Sequence, residues 1–379
     1  MPDWGPREDY HRDVAAAVAG IVFAVVLMLI QLGFQDALMT SAGVHMAALD
    51  CDLILATPQY QYLLQSGFFP ERRLYQAAAH EQVAGVAPLY LTGLPFKNPV
   101  TREQRMILVM GVPPRPGIFS VPAVNQQILR LRDPEQVLFD SKGRTEYGPI
   151  AEMIGRGQPV ETEVANRRTV VAGLFEIGTT FGVDGTIVVG DDAFFRLVPG
   201  RERGEITLGL IRLNAGADPE QVRQSLAQRL PNDVRVYTRR GFVEHEQHYW
   251  STNTPVGFIF KLGVSMGLFV GLIIVYQILY NDVMENLQEY ATLKAIGFTD
   301  RYLAGVVLQQ GLILSVLGFL PGAGLTVAIY DVTAKATFLP LGMTLERLAI
   351  VYALTAGMCL VAAALAMRPV RKIDPPDIL

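Results

Sequence analysis

The densest run of potential chemistry in the chain is Glu244-His245-Glu246-Gln247-His248. Imidazoles and carboxylates at short intervals are what a hydrolytic zinc site needs, but the metal-binding pair in H-E-x-x-H stands four residues apart, on one helical face around a general-base glutamate. Here the histidines are three apart, and the run reads as a solvated polar helix leading into the apolar stretch that follows. A nucleophile is no easier to find. No serine lies in a G-x-S-x-G elbow, and Cys51 has no basic partner beside it that would favour a thiolate. No G-x-x-x-x-G-K-[ST] loop is present, so the chain cannot by itself cradle nucleotide phosphates in the Walker manner. No catalytic residue, metal ligand or cofactor site is assigned. If the protein performs work, the energy must come through a partner.

Two other patterns carry mechanical rather than covalent chemistry. Gly263, Gly267 and Gly271 recur at four-residue spacing, which opens a groove on one helix face where a second backbone can approach closely, as a helix-packing or dimer contact. From Asn281 to Arg301, Glu285, Glu289 and Lys294 alternate with Leu287, Tyr290, Leu293 and Ile296 at helical intervals, and Gly297 closes the pattern. That is a short amphipathic helix suited to receive a partner.

Long apolar runs must position these residues. With 18% charged side chains and a mean hydropathy of +0.28, the chain is apolar for its length. Spans are expected at 14–34, 255–280, 303–330 and 348–367, uncharged except for Lys261, which is placed to snorkel toward an interface. The first is read as a retained anchor, because residues 1–13 lack the positive flank of a signal peptide. Ionisable residues are nearly absent from the spans, which disfavours an ion-driven carrier. Positive charges sort Arg7, Arg12, Lys294, Arg301, Arg368, Arg371 and Lys372 to one side, against Lys335 and Arg347 in the short loop 331–347. By the positive-inside bias, the N-terminus 1–13, the connection 281–302 and the tail 368–379 are cytoplasmic. The formal charge of −4 leaves no basic footprint for nucleic acid.

Residues 35–254 then form a large extracytoplasmic domain, periplasmic in a bacterium, with room for its own core. Strands are expected at Asp52–Ala56, Arg105–Met110, Val137–Phe139, Thr169–Phe175, Thr186–Val189, Ile206–Leu213 and Val234–Tyr237, with helices at Glu71–Ala79 and Pro219–Leu230. Asp184-Gly185 reads as a hairpin turn. Composition divides the region into 35–121 and 205–254, a mixed α/β part that pairs back on itself, and an inserted β-rich part, 122–204. Cys51 and Cys359 fall on the outer domain and the fourth span and are not expected to meet. The fold class is an α-helical membrane protein with four transmembrane helices and one large mixed α/β domain.

This order, with E-Y-A-T-L-K-A-I-G at Glu289–Gly297 and R-P-V-R-K-I-D-P at Arg368–Pro375, resembles the MacB/FtsX-type ABC transporter permeases. The runs QLGFQDAL at Gln31–Leu38, ERRLYQA at Glu71–Ala77, EYGPIAE at Glu146–Glu152 and VAGLFEIGTTFGVDG at Val171–Gly185 are similar to the DevC-like permeases of heterocyst-type exporters. Relatives begin with an amphipathic surface helix, whereas this chain opens MPDWGPREDYHRD. The resemblance implies a homodimeric permease in the inner membrane, recruiting a separate ABC ATPase that binds ATP and Mg. It further implies a periplasmic membrane-fusion adaptor, a TolC-like outer-membrane channel, a porter-like outer domain, and an amphipathic cargo, glycolipid among the candidates. Glu289, Leu293, Lys294, Ala295, Ile296 and Gly297 would be the ATPase-coupling element. The same plan serves FtsX-like regulators of cell-wall hydrolases and lipoprotein-releasing permeases.

Overall fold

The computed structural model describes residues 8–371, Phe181 and Phe338 excepted. Residues 1–7 of the expected cytoplasmic N-terminus and 372–379 of the tail, with Arg7, Lys372 and the end of the Arg368–Pro375 motif, lie outside the described residues. The chain forms two compact units: one joins the residues up to Ala37 with those from Pro255 onward, and the other is Leu38–Thr254.

The first unit is helical. Val14–Ala42, Pro255–Glu285, Asp300–Ala336 and Leu345–Val370 are each long and apolar enough to cross a membrane, with apolar windows of mean hydropathy 2.1 to 2.6. The helices run past the apolar stretches because a helix continues wherever its backbone bonds do, whatever the side chains. Thus the third helix takes in residues 331–337 of the loop expected at 331–347, and Arg347 stands inside the fourth, Leu345–Ala366, whose first turn Thr344 caps by accepting from the Arg347 N–H. Small residues bring the helices together: Ala24, Val25 and Met28 of the first helix share a core with Val275 and Leu279 of the second and Met358, Cys359 and Ala362 of the fourth.

In Leu38–Thr254, eleven strands form: β1 (Leu53–Ala56), β2 (Phe69–Pro70), β3 (Val83–Lys97), β4 (Gln104–Val112), β5 (Gln136–Asp140), β6 (Val160–Val164), β7 (Arg167–Phe175), β8 (Thr186–Gly190), β9 (Glu205–Ile206), β10 (Leu208–Leu213) and β11 (Arg235–Thr238). Nine make one sheet, β11-β1-β10-β3-β4-β8-β5-β7-β6. Strands β10 and β11 pair antiparallel with β1, and β10 also with β3, which joins 205–254 to the first block. The inserted residues 122–204 do not build a sheet of their own. Their strand β8 adds parallel to β4, and β6 returns to β3 through Phe96↔Val164 and Lys97↔Glu163, closing a ring of six strands. The 15-residue β3 is the hinge of this plan, pairing with β10 over its first half and β4 over its second.

Asp184-Gly185 is not a hairpin turn. The strand it introduces, β8, lies between β4 and β5, and β7 pairs with β5 and β6 instead. Gly185 is required there for closeness, since a Cβ would come within 2.5 Å of the Tyr147 ring. Two hydrophobic cores lie on the two faces of the sheet, one holding Leu53, Leu55, Val222, Leu226 and Val236, the other Ile54, Ala56, Leu210 and Phe242.

Candidate functional site

Between the second and third long helices the chain turns through a short helix, Leu287–Ala295. Leu287, Tyr290 and Leu293 pack on the helical core and Ala291 is buried, so one face is anchored. The end of the helix is a Schellman turn: the Phe298 N–H donates to the Leu293 carbonyl at 3.1 Å and the Gly297 N–H to the Lys294 carbonyl at 3.1 Å. Gly297 sits at φ +109°, a conformation a side chain resists. One residue further, Thr299 begins the next helix, its Oγ1 accepting from the Tyr302 N–H at 3.4 Å. Lys294 Nζ crosses the turn to Asp300 Oδ1 at 3.3 Å.

The elbow so fixed sorts the six sequence-predicted coupling residues into two groups. Leu293 and Lys294 are half-buried and hold the turn, whereas Glu289, Ala295, Ile296 and Gly297 are exposed. Ile296 leaves the apolar face to which its spacing assigned it and is 72% exposed. Phe298 and Tyr302 stand out beside it with ring centroids 5.0 Å apart, 40% and 56% exposed. Sequence reasoning missed these two rings, because helical periodicity stops at the glycine that ends the helix and assigns no facing to the residues beyond it. A rigid turn presenting an apolar knob, with Glu289 on the same short helix, can receive an apolar cleft in a partner.

The glycines of the second helix lie against the first helix of the same chain. A Cβ on Gly263 would meet Gln31, one on Gly267 would meet Leu27 and Met28 at 3.0 and 3.1 Å, and one on Gly271 would meet Ala24 Cβ at 2.8 Å and Met358 Sδ at 2.5 Å. These contacts are all with residues of the same chain. Lys261 is exposed.

Two polar contacts escaped the sequence reading. At the end of the helical unit away from the elbow, Arg347, 7% exposed, donates to Asp36 Oδ2 at 2.5 Å and to the Gly342 carbonyl at 2.7 Å. The Tyr330 hydroxyl lies 3.4 Å from the same guanidinium and donates to the Leu29 carbonyl, so the first, third and fourth helices are clasped together. In the mixed unit, the polar helix Arg239–His248 is not solvated throughout. Glu246 is 1% exposed and accepts a hydrogen bond from the buried Tyr60 hydroxyl, with the Leu63 N–H as a further donor. Burial pushes this carboxyl up to about 7, against the lowering effect of its two donors. His245 faces the Tyr60 carbonyl at 3.3 Å. Among the described residues, no group of three or more His, Cys, Asp or Glu side chains is placed to hold a metal ion.

Residues 262–375 match the family model described as FtsX-like permease C-terminal, so the elbow and most of the last three long helices lie within the match. No curated protein matches the chain by sequence. Among solved structures, the periplasmic region of MacB from Actinobacillus actinomycetemcomitans aligns with 52% of this chain and 93% of its own, at 7% identity and a TM-score of 0.37. The extracellular domain of the noncanonic ABC-type transporter YknZ from Gram-positive bacteria aligns with 50% of this chain and 99% of its own, at 10% identity and a TM-score of 0.35.

Proposed function

We propose that this chain is the membrane-spanning permease subunit of an ABC-type transporter, driven by a separate ATPase that docks on the elbow at Glu289–Gly297. The observation that carries the reading is the apolar knob of Ile296, Phe298 and Tyr302, held out on a capped turn inside the segment that matches the FtsX-like permeases. These 379 residues hold no Walker loop, which supports an energy source outside them. ATP and Mg would be bound by that partner, with this chain supplying no catalytic group.

In this reading, Leu293 and Lys294 pin the short helix to the bundle, and Ile296 with its neighbours enters a cleft of the ATPase. Closure of the ATPase pair would then move the second and third helices together, because the Schellman turn and the Lys294–Asp300 pair join them with no flexible link. Tyr330 of the third helix, held to Arg347 and to the Leu29 carbonyl, would carry that motion to the fourth and first helices at the far end, which the Arg347–Asp36 pair joins. The permease would be a homodimer in the inner membrane with both termini cytoplasmic and residues 35–254 in the periplasm. On the DevC-like runs we assign it to an exporter that hands an amphipathic compound to an adaptor and an outer-membrane channel.

A photo-crosslinking residue at position 296 of the tagged full chain in native membranes tests the docking. Mass spectrometry of the crosslinked product is expected to identify an ABC ATPase, and a product without one overturns the proposal. Mild-detergent co-purification then separates the finer readings. A co-purifying membrane-fusion adaptor supports export, a cell-wall hydrolase activator replaces it with FtsX-like regulation, and a lipoprotein carrier replaces it with lipoprotein release.

A further inference from the structure

The nine-stranded sheet is closed at one end, where β6 pairs back on β3, and open at the other, where β11 has β1 as its one neighbour among the described residues. The register at the open end is fixed. The Arg239 N–H donates to the Asp52 carbonyl at 2.9 Å, and the antiparallel pairs Tyr237↔Ile54 and Arg235↔Ala56 follow in the same phase. In an antiparallel ladder, alternate residues direct their backbone groups to the neighbour, so Val236 directs its N–H and C=O the other way. Neither bulge nor proline interrupts β11, and an unpaired edge of this kind is a template for another strand.

The edge is the floor of a groove of about 970 Å³ walled by the helices Pro219–Arg229 and Arg239–His248. Such walls admit a single extended segment, whereas a second copy presenting the same edge would bring its own two helices against them. One part of the lining is small and apolar, Ala227 and Leu230. The charged part is unbalanced. Glu220 is held by Arg223 at 2.6 Å and Glu244 by Arg240 at 2.9 Å, while Arg235 is exposed and has no carboxylate partner among the described residues.

We infer that β11 accepts an extended segment of a partner protein by strand addition, and that this segment alternates acidic with small apolar side chains. The Val236 N–H and C=O pair with its backbone, an acidic residue faces Arg235, and the intervening apolar residues face Ala227 and Leu230. Alternation follows from the period of two in a strand. Four residues of β11 offer about 13 Å of edge, enough to register a segment of that length. The inference stands apart from the permease reading, since the groove lies within Leu38–Thr254 and needs no ATPase.

Fluorescence anisotropy on the detergent-solubilised full chain tests it with four labelled heptapeptides. These are Val-Asp-Val-Asp-Val-Asp-Val, the same sequence with Lys for Asp, and the acidic peptide methylated on alternate backbone nitrogens in each of the two phases. The acidic peptide is expected to bind about ten-fold more tightly than the basic one, and Arg235→Glu to reverse the order. Methylation in one phase should abolish binding and in the other leave it. Binding indifferent to methylation in both phases overturns strand addition, and equal binding of the two charges overturns the assigned chemistry. Absence of binding by either peptide overturns both. A disulfide between two copies of an Arg235→Cys variant would put a second copy in the groove in place of a partner peptide.

Discussion

Two short helices bracket the long helix Pro255–Glu285 in the chain, and they break the same rule in opposite directions. Arg239–His248, before it, carries a carboxylate inside: Glu246 lies under the Tyr60 hydroxyl, away from water. Leu287–Ala295, after it, ends on an apolar residue outside, with Ile296 and the rings of Phe298 and Tyr302 in solvent. An ordinary amphipathic helix does neither, because burying a charge and exposing a large apolar group both cost free energy. Each departure needs its own explanation. The buried acid is explained within its unit by two hydrogen-bond donors, whereas among the described residues Ile296, Phe298 and Tyr302 stay exposed, a surface that suits a partner.

The largest expected effect tests the buried member. The Glu246 carboxyl is raised from 4.5 to about 7 in the folded chain, so between those values the native state holds a proton that the unfolded state has released. Stability of Leu38–Thr254 should therefore fall as pH rises from 4.5 through 7, by about 3 kcal/mol at the upper end. Glu246→Gln should flatten that dependence, leaving the variant more stable than the parent at pH 8 and little changed at pH 5. Urea unfolding of the full chain at the two pH values, followed by tryptophan fluorescence, checks it. A parent chain equally stable at both would remove the contrast with the elbow.

The long helix between the two provides the next effect. Gly271→Leu must displace Met358 and crowd Ala24, and should cost the helical unit about 2 kcal/mol by overpacking. Gly305→Leu, at a position where a Cβ meets nothing within 4 Å, should cost much less. Thermal unfolding in detergent measures both. Equal losses would show that the glycine row is not held against the first helix.

How far the sequence announced this molecule depends on the kind of signal. Four long apolar helices and most strands were legible, since Thr186–Val189 or the Ile107–Met110 end of β4 are runs whose burial is written in their composition. The longest strand, β3, was not, because Gly85, Pro88, Gly93 and Pro95 punctuate it like a loop. Its place between β10 and β4 comes from long-range pairing that overrides local propensity. Glu289–Gly297 was legible as a capped amphipathic helix, down to the glycine that ends it. Which of its residues face out was not, because the Schellman turn rotates Ile296 and Phe298 off the periodic face. Nor could spacing reveal Glu246–Tyr60 or Asp36–Arg347, whose partners are separated by 186 and 311 positions.

Ile296→Glu sharpens the outer member of the comparison. The side chain is 72% exposed, so its replacement should leave thermal stability within about 0.5 kcal/mol. Association with the ATPase should weaken about ten-fold if the knob enters a desolvated cleft. A variant that unfolds early would place Ile296 in the fold itself; one that binds normally would move docking off the elbow.

The smallest effect separates the knob from the turn that aims it. A Cβ at position 297 meets nothing within 4 Å, so Gly297→Ala adds no clash, and its cost is confined to the backbone at φ +109°. That cost is about 1 kcal/mol, and Asn, which tolerates positive φ better, should recover part of it. Unlike Ile296→Glu, the alanine variant keeps every apolar group of the knob but loosens the Phe298 N–H bond to Leu293 on which its direction depends. If direction matters, the ATPase stimulation measured in reconstituted membranes should order as Gly, Asn, Ala, while binding in detergent changes little. Stimulation that follows binding alone would reduce the elbow to an attachment point, and the second and third helices would then have to receive their motion elsewhere.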